Sequence, residues 1–441
     1  KTGNINGLAI LAEHLGQSIP ATGTTTFRPN YTPVTFGAIA GRELGAVYFD
    51  PVRKTPMHHW HVAHGAVFED VGQWKRPWYY PKAGETIESA VSRECLATRR
   101  GIGLLDASTL GKIEVRGRDS AEFLNRIYTN AWSKLEINRC RYGLMLGEDG
   151  MVMDDGVSSR LGDNHYYMTT TTGGAAHVLG WMERWHQTEW PELEVFFTSV
   201  TDRWAVASIA GPNSRSLLGR ICSDIDLSAD AFPFMSLREG SVAGISARVF
   251  RISFSGELAF EINVSADDGV ALWESLMEAG SEYDITPYGT ETMHVLRAEK
   301  GYVIVGQDTD GSVTPADLGM DWIVSKTKDF IGKRSLVRSD MLRENRKQLV
   351  GLVTDQPQKV LPEGTQLVNE PSTDYPVPMT GHVTSSYYSS ILGRSIALAL
   401  VKGGHSRLGA SVYAPTLDGK LIEAIITSPV FYDPENRLHK T

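Results

Sequence analysis

The sequence predicts an α+β protein whose C-terminal part forms a separate small β domain. A strand–turn–helix segment, GKIEVRGRDSAEFLNRI, is followed by a three-stranded meander, in which the Asp149–Gly150 and GDN turns join apolar runs. The segment WAVASIAGPNSRSLL repeats the strand–turn–helix pattern. From Lys347 onward, short alternating strands with turn residues predict a small separate β domain.

The remaining elements follow from spacing and end signals. The segment ESAVSRECLATRRG places Val91 and Cys95 at helical spacing, so a helix is predicted from Glu88 to a stop at Gly101. After the meander, TTTTGGAAHVLGWMERWHQ predicts a strand end followed by a helix. ARVFRISFSGELAFEINVS predicts a pair of strands, and TETMHVLRAEKG predicts a helix ending at Gly301.

These elements predict three regions. Residues 1–56 are rich in Thr, Pro and Gly and are interpreted as an arm or connector on a partner surface. Residues 57–346 form the main domain, and residues 347–441 form the small β domain. The first residues, KTGNINGLAIL, lack Met and a signal-peptide layout, so we expect them to be the cut end of a longer polypeptide.

Composition narrows the functional class. The 441 residues are 41% hydrophobic and carry a formal net charge of −9, which does not favour binding to nucleic acid through general phosphate attraction. No apolar run has the length of a membrane span. The three separated cysteines are typical of a reducing compartment and are interpreted as small buried hydrophobes. A cytoplasmic protein is expected.

Three eye-catching motifs carry no site assignment. MHHWHVAH contains four imidazoles, but a second ligand pair at finger-like spacing is absent, so we assign no metal and expect surface or interface histidines. GAIAGRELG lacks the GxGxxG spacing and is a weak candidate for a dinucleotide site. TTTTGGAA could offer backbone N–H groups to an anion or could be an ordinary strand-to-helix turn.

The pair Asp154–Asp155 in GEDGMVMDDGVSSRL raises the question of which carboxylate has a chemical role. Side chains alternate along a strand, so Asp155 shares a face with Met151 and Met153, whereas Asp154 shares a face with Val152. Both faces carry apolar residues, so alternation alone does not decide between the two. A buried carboxylate must be paired, hydrogen-bonded or protonated.

A series of blocks along the chain resembles the glycine-cleavage T-protein (aminomethyltransferase) family from about Met57 to the C-terminus. In order, the blocks are HGAVFEDVGQWKRPWYYP, ATRRGIGLLDASTLGKIEVRGRDSAEFLNRI, EDGMVMDDGVSSRL, ASIAGPNSRSLL, FSGELAFEINV, LRAEKGYVIVGQDTDGSVTPADLGMDWIV, KDFIGKRSL and GHVTSSYYSSILGRSIALALV. The resemblance implies a three-lobed, cloverleaf-like fold with a tetrahydrofolate site in its middle. Residues 57–346 would form two of the lobes, and residues 347–441 would form a C-terminal β-barrel domain.

The resemblance places Glu261 of FSGELAFEINV at the position that binds the pterin. The aminopyrimidine edge of a pterin offers an N–H and an adjacent NH₂, which match the two oxygens of a carboxylate. The family often has Tyr where this chain has Phe254, so stacking is kept and the hydroxyl is lost. T-proteins commonly have Asn after the third meander strand, where this chain has Thr171, so lipoyl-linked substrate handling is not assumed.

The family's acid aligns with Asp155, and Asp154 becomes its supporting neighbour. A carboxylate beside the bridging nitrogens of folate can hold positive charge and accept the proton lost on ring closure. The glutamate tail of folate calls for Arg with bidentate geometry, and both Arg297 and Arg394 lie at family positions associated with the site. Either arginine could instead be a structural ion-pair residue.

Within the family, NINGLAILAEHLGQSIPATGTTTFRPNYTPVTFGAIAGRELG and KGYVIVGQDTDGSVTPAD resemble the α subunits of heterotetrameric sarcosine oxidases. This resemblance implies capture of the one-carbon unit of sarcosine as 5,10-methylenetetrahydrofolate, with glycine and hydrogen peroxide as co-products. It implies a flavin-bearing β subunit and small subunits as partners. Flavin (FAD or FMN) and NAD are expected on those subunits or in a preceding nucleotide-binding region.

Three alternatives remain open. The chain could be an α-like subunit of an N-methyl amino-acid dehydrogenase or a stand-alone aminomethyltransferase. It could also be a folate-binding scaffold without catalysis. Relatives that act as scaffolds carry a KGC-type motif, whereas this chain reads Lys300-Gly301-Tyr302, which counts against the last alternative.

Overall fold

The computed structural model describes Glu13, His14, Gly16 and residues 52–371, 377–416 and 420–441. The greater part of the expected arm at 1–56, including GAIAGRELG, lies outside the described residues. The chain divides into two compact units. Among the described residues, one unit comprises Ala298–Asp321 and the described part of Leu336–Tyr432, and the other comprises 52–297, Trp322–Ser335 and Asp433–Thr441. The domain bounds 57–346 and 347–441 stay predictions.

The described residues form helices and strands in the following order. The helices are α1 (His58–Ala63), α2 (Ile87–Arg100), α3 (Ser120–Ile127), α4 (Ala175–Thr188), α5 (Ser214–Ile221), α6 (Gly269–Ala279) and α7 (Thr290–Glu299). The strands are β1 (Arg53–Lys54), β2 (Val67–Val71), β3 (Trp74–Tyr79), β4 (Gly103–Asp106), β5 (Gly111–Arg116), β6 (Cys140–Leu146), β7 (Val152–Gly162), β8 (His165–Thr170), β9 (Phe196–Ser199), β10 (Trp204–Ala210), β11 (Ser236–Val242), β12 (Ile245–Arg251), β13 (Ala259–Ser265), β14 (Thr286–Pro287), β15 (Lys347–Thr354), β16 (Gln366–Val368), β17 (Met379–Ser389), β18 (Arg394–Lys402), β19 (Ser411–Pro415) and β20 (Leu421–Thr427).

A six-stranded sheet in the larger unit has the order β11-β12-β13-β10-β4-β14. One of its faces carries Val249, Ile262 and Ala207, which pack against residues of α1, α5 and α6 to form a core. The alternation of these apolar residues with polar ones such as Glu261 places the polar set on the opposite face.

A five-stranded sheet in the same unit has the order β6-β7-β8-β5-β9. Its Ile113, Val115 and Met168 face α3 and α4 and form a second core. The predicted meander is the β6–β7–β8 part of this sheet. Gly150 has φ +86°, a left-handed conformation that Gly adopts without strain, in the turn that joins β6 to β7.

The remaining faces of these two sheets pack against each other. Tyr167 of β8 donates a hydrogen bond to Asn263 of β13 (3.0 Å), and its ring stacks on Phe250 of β12 with centroids 5.6 Å apart. Arg248 of β12 and Glu114 of β5 form an ion pair at 3.3 Å. The facing surfaces of the two sheets therefore carry both apolar and charged side chains.

The other unit contains a closed barrel of strand order β15-β18-β17-β16-β19-β20. Its interior is filled by small and β-branched residues, among them Val350, Ala399, Val412 and Ala424, each at 0% exposure. The prediction of an α+β fold with a C-terminal β-barrel domain is confirmed. Among the described residues, no helix is both long and apolar enough to cross a bilayer.

Candidate functional site

A β-bulge precedes the aspartate pair. Asp154 is paired with Met145 and Val152 with Leu146, so Met153 has no partner on β6. Alternation counted from Met151 or Met153 therefore does not extend across the bulge to Asp155. Beyond the bulge, the register places Asp155 on the face of the five-stranded sheet that carries Tyr167.

Asp154 is a structural anchor in the described geometry. It is 3% exposed and accepts hydrogen bonds from Thr171 N (3.1 Å), Thr171 Oγ1 (2.9 Å) and the backbone N–H of Asp155 (2.8 Å). Burial raises the pKa of Asp154, and the Thr171 donors oppose that rise. A Cβ at Gly174 would lie 1.9 Å from Asp154 Oδ2, so the chain approaches this carboxylate closely before α4.

Asp155 is partly exposed and has a different environment. The hydroxyl of Tyr142 on β6 donates to Asp155 Oδ2 (2.7 Å). Burial, followed by the neighbouring Asp154 carboxylate, raises the pKa of Asp155 to about 7, and the Tyr142 hydroxyl opposes this rise. A carboxylate with this pKa can exchange a proton near neutral pH. Asp154 and Asp155 are thus brought together, with unlike partners.

Glu261 lies on β13, paired with Phe250 of β12 and Ser208 of β10. Its side chain is partly exposed on the face that contacts the five-stranded sheet. Within the described parts of the chain, its carboxylate receives no hydrogen bond and has no cation within ion-pair distance. Burial raises the pKa of Glu261 to about 7, and the Lys112 ammonium opposes this rise.

The β12–β13 connection carries Phe254, which is 37% exposed. Arg99, at the end of α2, fixes this connection by donating to Ser255 O (2.8 Å) and to the Glu257 carboxylate (2.8 Å). The side chains of Arg99 and Glu257 are 0% and 3% exposed, so this is a buried ion pair. The connection is held from within, and the Phe254 ring remains accessible.

The two arginines predicted to contact a glutamate tail have unlike surroundings. Arg297 of α7 is 0% exposed. Arg394 begins β18 in the barrel unit, and its guanidinium donates to Thr354 O (2.9 Å). Both remain predictions for that role.

The histidine cluster has no obvious metal geometry. His61 is fully buried, where its Nε2 is 3.0 Å from Asp106 Oδ2 and its Nδ1 is 2.9 Å from the Tyr80 hydroxyl. The expectation of surface or interface histidines is therefore wrong for His61, because a carboxylate and a phenol satisfy its ring inside the core. No group of three or more His, Cys, Asp or Glu suited to a metal ion occurs in the part of the chain that the structure describes.

Sequence reasoning missed Tyr142, Arg99 and Lys112. Lys112 of β5 is 1% exposed, and its Nζ donates to Ser108 O and Leu110 O, both at 2.8 Å. A signal for Lys112 was available, because GKIEV alternates charged and apolar residues, which puts Lys112 and Glu114 on one strand face. Tyr142 contacts Asp155 across the β6–β7 hairpin, and Arg99 contacts Ser255 and Glu257 far along the chain, so no local pattern reveals either contact.

Asp155 and Glu261 lie on the facing surfaces of the two sheets. Asp155 shares its sheet face with Tyr167, and Glu261 shares its sheet face with Phe250 and Asn263, the two residues that Tyr167 contacts. No hydrogen bond joins the two carboxylates among the residues described. An accessible aromatic ring, a carboxylate without hydrogen-bond donors and a carboxylate of near-neutral pKa thus belong to one compact unit.

Comparison with known proteins identifies the class. The GCVT N-terminal domain matches residues 57–328, and the glycine cleavage T-protein C-terminal barrel domain matches residues 347–433. The chain belongs to the glycine cleavage T-protein (aminomethyltransferase) family. Residues 1–42 match the sarcosine oxidase A3 domain. Tetrahydrofolate fits this family.

Individual relatives refine this result. The chain is 54% identical over 439 residues, 99% of its length, to sarcosine oxidase subunit alpha of Corynebacterium sp. (strain U-96), and spans 45% of that relative. It is 30% identical to the aminomethyltransferase of Thermotoga neapolitana, covering 86% of this chain and 98% of the relative. The crystal structure of aminomethyltransferase T from Bartonella henselae is similar with a TM-score of 0.75 at 24% identity, covering 87% of this chain and 98% of that one. That likeness supports the aminomethyltransferase-like fold.

Proposed function

We propose that this chain is the tetrahydrofolate-binding module of a sarcosine oxidase α subunit. The observation that carries the proposal is the placement of Glu261 and Asp155 on facing sheet surfaces, in a chain 54% identical to such a subunit. The module captures the one-carbon unit released from sarcosine as 5,10-methylenetetrahydrofolate. Glycine and hydrogen peroxide are the co-products of the complete enzyme.

Glu261 and Phe254 bind the pterin in this proposal. The two oxygens of an ionised Glu261 accept the ring N–H and the adjacent NH₂, two charge-assisted hydrogen bonds that the described chain itself does not supply. The accessible Phe254 ring, held at the end of the same strand pair, offers a stacking surface.

Asp155 acts as the acid–base group. Bound tetrahydrofolate supplies the amine nitrogens that take up the one-carbon unit. Asp155 accepts the proton that is lost when the second nitrogen reacts, and its negative charge stabilises the positive charge that develops beforehand. Tyr142 orients Asp155 Oδ2 through its 2.7 Å hydrogen bond, and Asp154 fixes the Asp155 backbone. Positioned proton transfer of this kind contributes about 10²- to 10⁴-fold.

The glutamate tail is assigned to Arg297 or Arg394. The complete burial of Arg297 favours a role in ordering the interior, whereas Arg394 has a fixed guanidinium with one backbone partner described. A double comparison of Arg297→Lys and Arg394→Lys with mono- and polyglutamylated folates separates the two. The tail-binding arginine is the one whose substitution removes the gain from added glutamates.

The partners and location complete the proposal. A flavin-bearing β subunit oxidises the amine, small subunits complete a hetero-oligomer, and flavin or NAD resides outside the folate module. We propose a cytoplasmic location. The α-like subunit of an N-methyl amino-acid dehydrogenase and a stand-alone aminomethyltransferase remain alternatives, and the 54% identity and the match at residues 1–42 favour the first proposal over both.

Calorimetric titration of the full-length protein with 5-formyltetrahydrofolate, a stable folate, tests the binding role. Glu261→Gln keeps the shape and removes the charge, so we expect a loss of affinity of at least about tenfold. Glu274→Gln, an exposed glutamate on α6, is the matched control and should bind as the unmodified protein does. Equal affinity of Glu261→Gln and the control would remove Glu261 from the pterin site.

A further inference from the structure

Lys112 is a buried cation without an ion pair in the described chain. It is 1% exposed, and its Nζ is held by the carbonyl oxygens of Ser108 and Leu110. No carboxylate of the described residues lies within ion-pair distance of it. A buried ammonium loses its hydration, and two neutral carbonyl acceptors do not replace a counter-anion. The charge is therefore balanced by anions at longer range.

The carboxylates that interact electrostatically with Lys112 differ in their other partners. Asp106 is paired with His61 (3.0 Å) and accepts from Ser108 N (3.0 Å), while Asp202 is paired with Arg53 (2.7 Å). Glu261 has neither a hydrogen-bond donor nor an ion-pair partner in the described residues. Lys112 and Glu261 thus carry opposite charges, and among the described residues neither has a counter-ion at contact distance.

Lys112 and Glu261 lie on facing sheets, so their charges can act on each other across the interface between the sheets. Lys112 is paired with Thr169 on β8, which places it on the sheet face of Tyr167 and Asp155. Glu261 lies on the facing sheet. The titratable groups that interact electrostatically with Glu261 are Lys112 of β5, Cys140 of β6, Tyr167 of β8 and Tyr288 before α7.

Among these groups, Lys112 supplies the positive charge. Burial raises the pKa of Cys140 to about 12 and the pKa of Tyr167 well above its usual range, and it also raises the pKa of Tyr288, so these three groups are neutral near pH 7. Burial lowers the pKa of Lys112 to about 8, which leaves it charged at pH 7. The backbone carbonyls fix the position of that charge.

We propose that Lys112 is a positioning residue for the pterin: its fixed charge, acting across the space between the sheets, keeps Glu261 in the anionic form that accepts the two N–H donors of the ligand. This inference rests on the proposed function. Lys112 itself does not touch the folate in this role. Its effect is to determine the pH range over which Glu261 can bind.

The effect of removing the charge has a definite sign. The Lys112 ammonium opposes the rise in the Glu261 pKa, so its loss raises that pKa further. Folate affinity falls once Glu261 is protonated, so the pH midpoint of binding moves upward. A shift of about one pH unit from a midpoint near 7 weakens binding at pH 7 roughly fivefold and leaves binding at pH 9 unchanged.

The test measures 5-formyltetrahydrofolate affinity of the full-length protein by calorimetry between pH 5.5 and pH 9. Lys112→Met removes the charge with little change in volume, and Lys112→Arg retains the charge. Lys328→Met is the matched control, because Lys328 also donates to two backbone carbonyls, those of Asn125 and Tyr128, in the same unit. We expect an upward midpoint shift for Lys112→Met and none for Lys112→Arg or Lys328→Met.

Two other outcomes overturn the inference. An unchanged midpoint in Lys112→Met, or equal shifts in Lys112→Met and Lys328→Met, would show that Lys112 has a packing role only. If Lys112→Met does not fold, Lys112→Gln, which keeps a donor for the carbonyls, is measured in its place with the same expectations. Failure of the proposed function has a different signature, since Glu261→Gln would then leave both affinity and its pH dependence unchanged.

Discussion

The backbone N–H of Asp155 donates a hydrogen bond to the side chain of Asp154 (2.8 Å), so one carboxylate of the pair fixes the backbone that carries the other. Asp154 receives two further hydrogen bonds from Thr171, whereas Asp155 receives one from Tyr142. The two adjacent aspartates therefore have separate tasks. Four predictions follow from this arrangement and from the environment of Glu261.

Transfer of the one-carbon unit should increase with pH through a midpoint near 7, because Asp155 must be ionised to accept a proton and its pKa is about 7. Asp155→Asn should abolish this increase with pH. It should also lower methylenetetrahydrofolate formation by about 10²- to 10⁴-fold, with formaldehyde released in place of that product. Product analysis of the assembled enzyme at several pH values measures both effects. An unchanged yield would exclude Asp155 as the acid–base group.

Tyr142→Phe should move the midpoint of that pH profile upward. The Tyr142 hydroxyl opposes the rise in the Asp155 pKa by donating to its carboxylate, so losing the donor favours the protonated form. Tyr166→Phe is the control. Tyr166 is also a buried tyrosine of the five-stranded sheet, but its side chain lies in the core on the opposite face. Identical profiles for both variants would argue against an orienting role of Tyr142.

Gly174→Ala should destabilise the protein through Asp154. The added Cβ would lie 1.9 Å from Asp154 Oδ2, so the carboxylate must move and lose hydrogen bonds, at a cost of about 1–3 kcal/mol. Gly180→Ala lies in α4 with no atom within 4 Å of its added Cβ, and should stabilise the helix by about 0.5–1 kcal/mol. Chemical denaturation measures the free energy of unfolding of both variants. A change of the same sign in both would contradict the prediction.

Glu261→Gln should stabilise the ligand-free protein at pH 8 and have little effect near pH 4. The pKa of Glu261 is raised from 4.5 to about 7, so the folded state holds a proton that the unfolded chain releases. The contribution of Glu261 to the free energy of unfolding therefore falls as the pH rises from about 4.5 to about 7, by at most about 3 kcal/mol. Unfolding curves at both pH values test this, with the exposed Glu274→Gln as the control.

Local patterns were sufficient for most of the fold. The helix ending at Gly101, the Asp149–Gly150 turn and the strands from Lys347 onward all appear as predicted, because spacing, turn residues and end signals act over a few residues. The β-bulge at Met153 was not visible in this way, since it depends on the register with β6. The alternation of side chains along the strand is interrupted there, so it could not show which face Asp154 and Asp155 each occupy.

The candidate site was only partly accessible from the sequence. Family resemblance indicated Asp155 and Glu261, but their relation depends on the packing of two sheets, which places Tyr167 against Phe250 and Asn263. Arg99 contacts Glu257 far along the chain, and Lys112 lies on the sheet that faces Glu261. Both relationships depend on the three-dimensional structure and are not visible in the sequence. The fully buried His61 shows the converse case, where a conspicuous motif has an interior hydrogen-bonding role.

The placement of Asp155 and Glu261 on different sheets has a consequence for divergence within the family. In the proposed function, ligand recognition and proton transfer are encoded by separate stretches of sequence, on two sheets joined by the contact of Tyr167 with Phe250 and Asn263. A lineage can therefore alter the reaction by substitutions around β7 while it inherits the same cofactor through β13. New chemistry and retained specificity can evolve independently on the two surfaces.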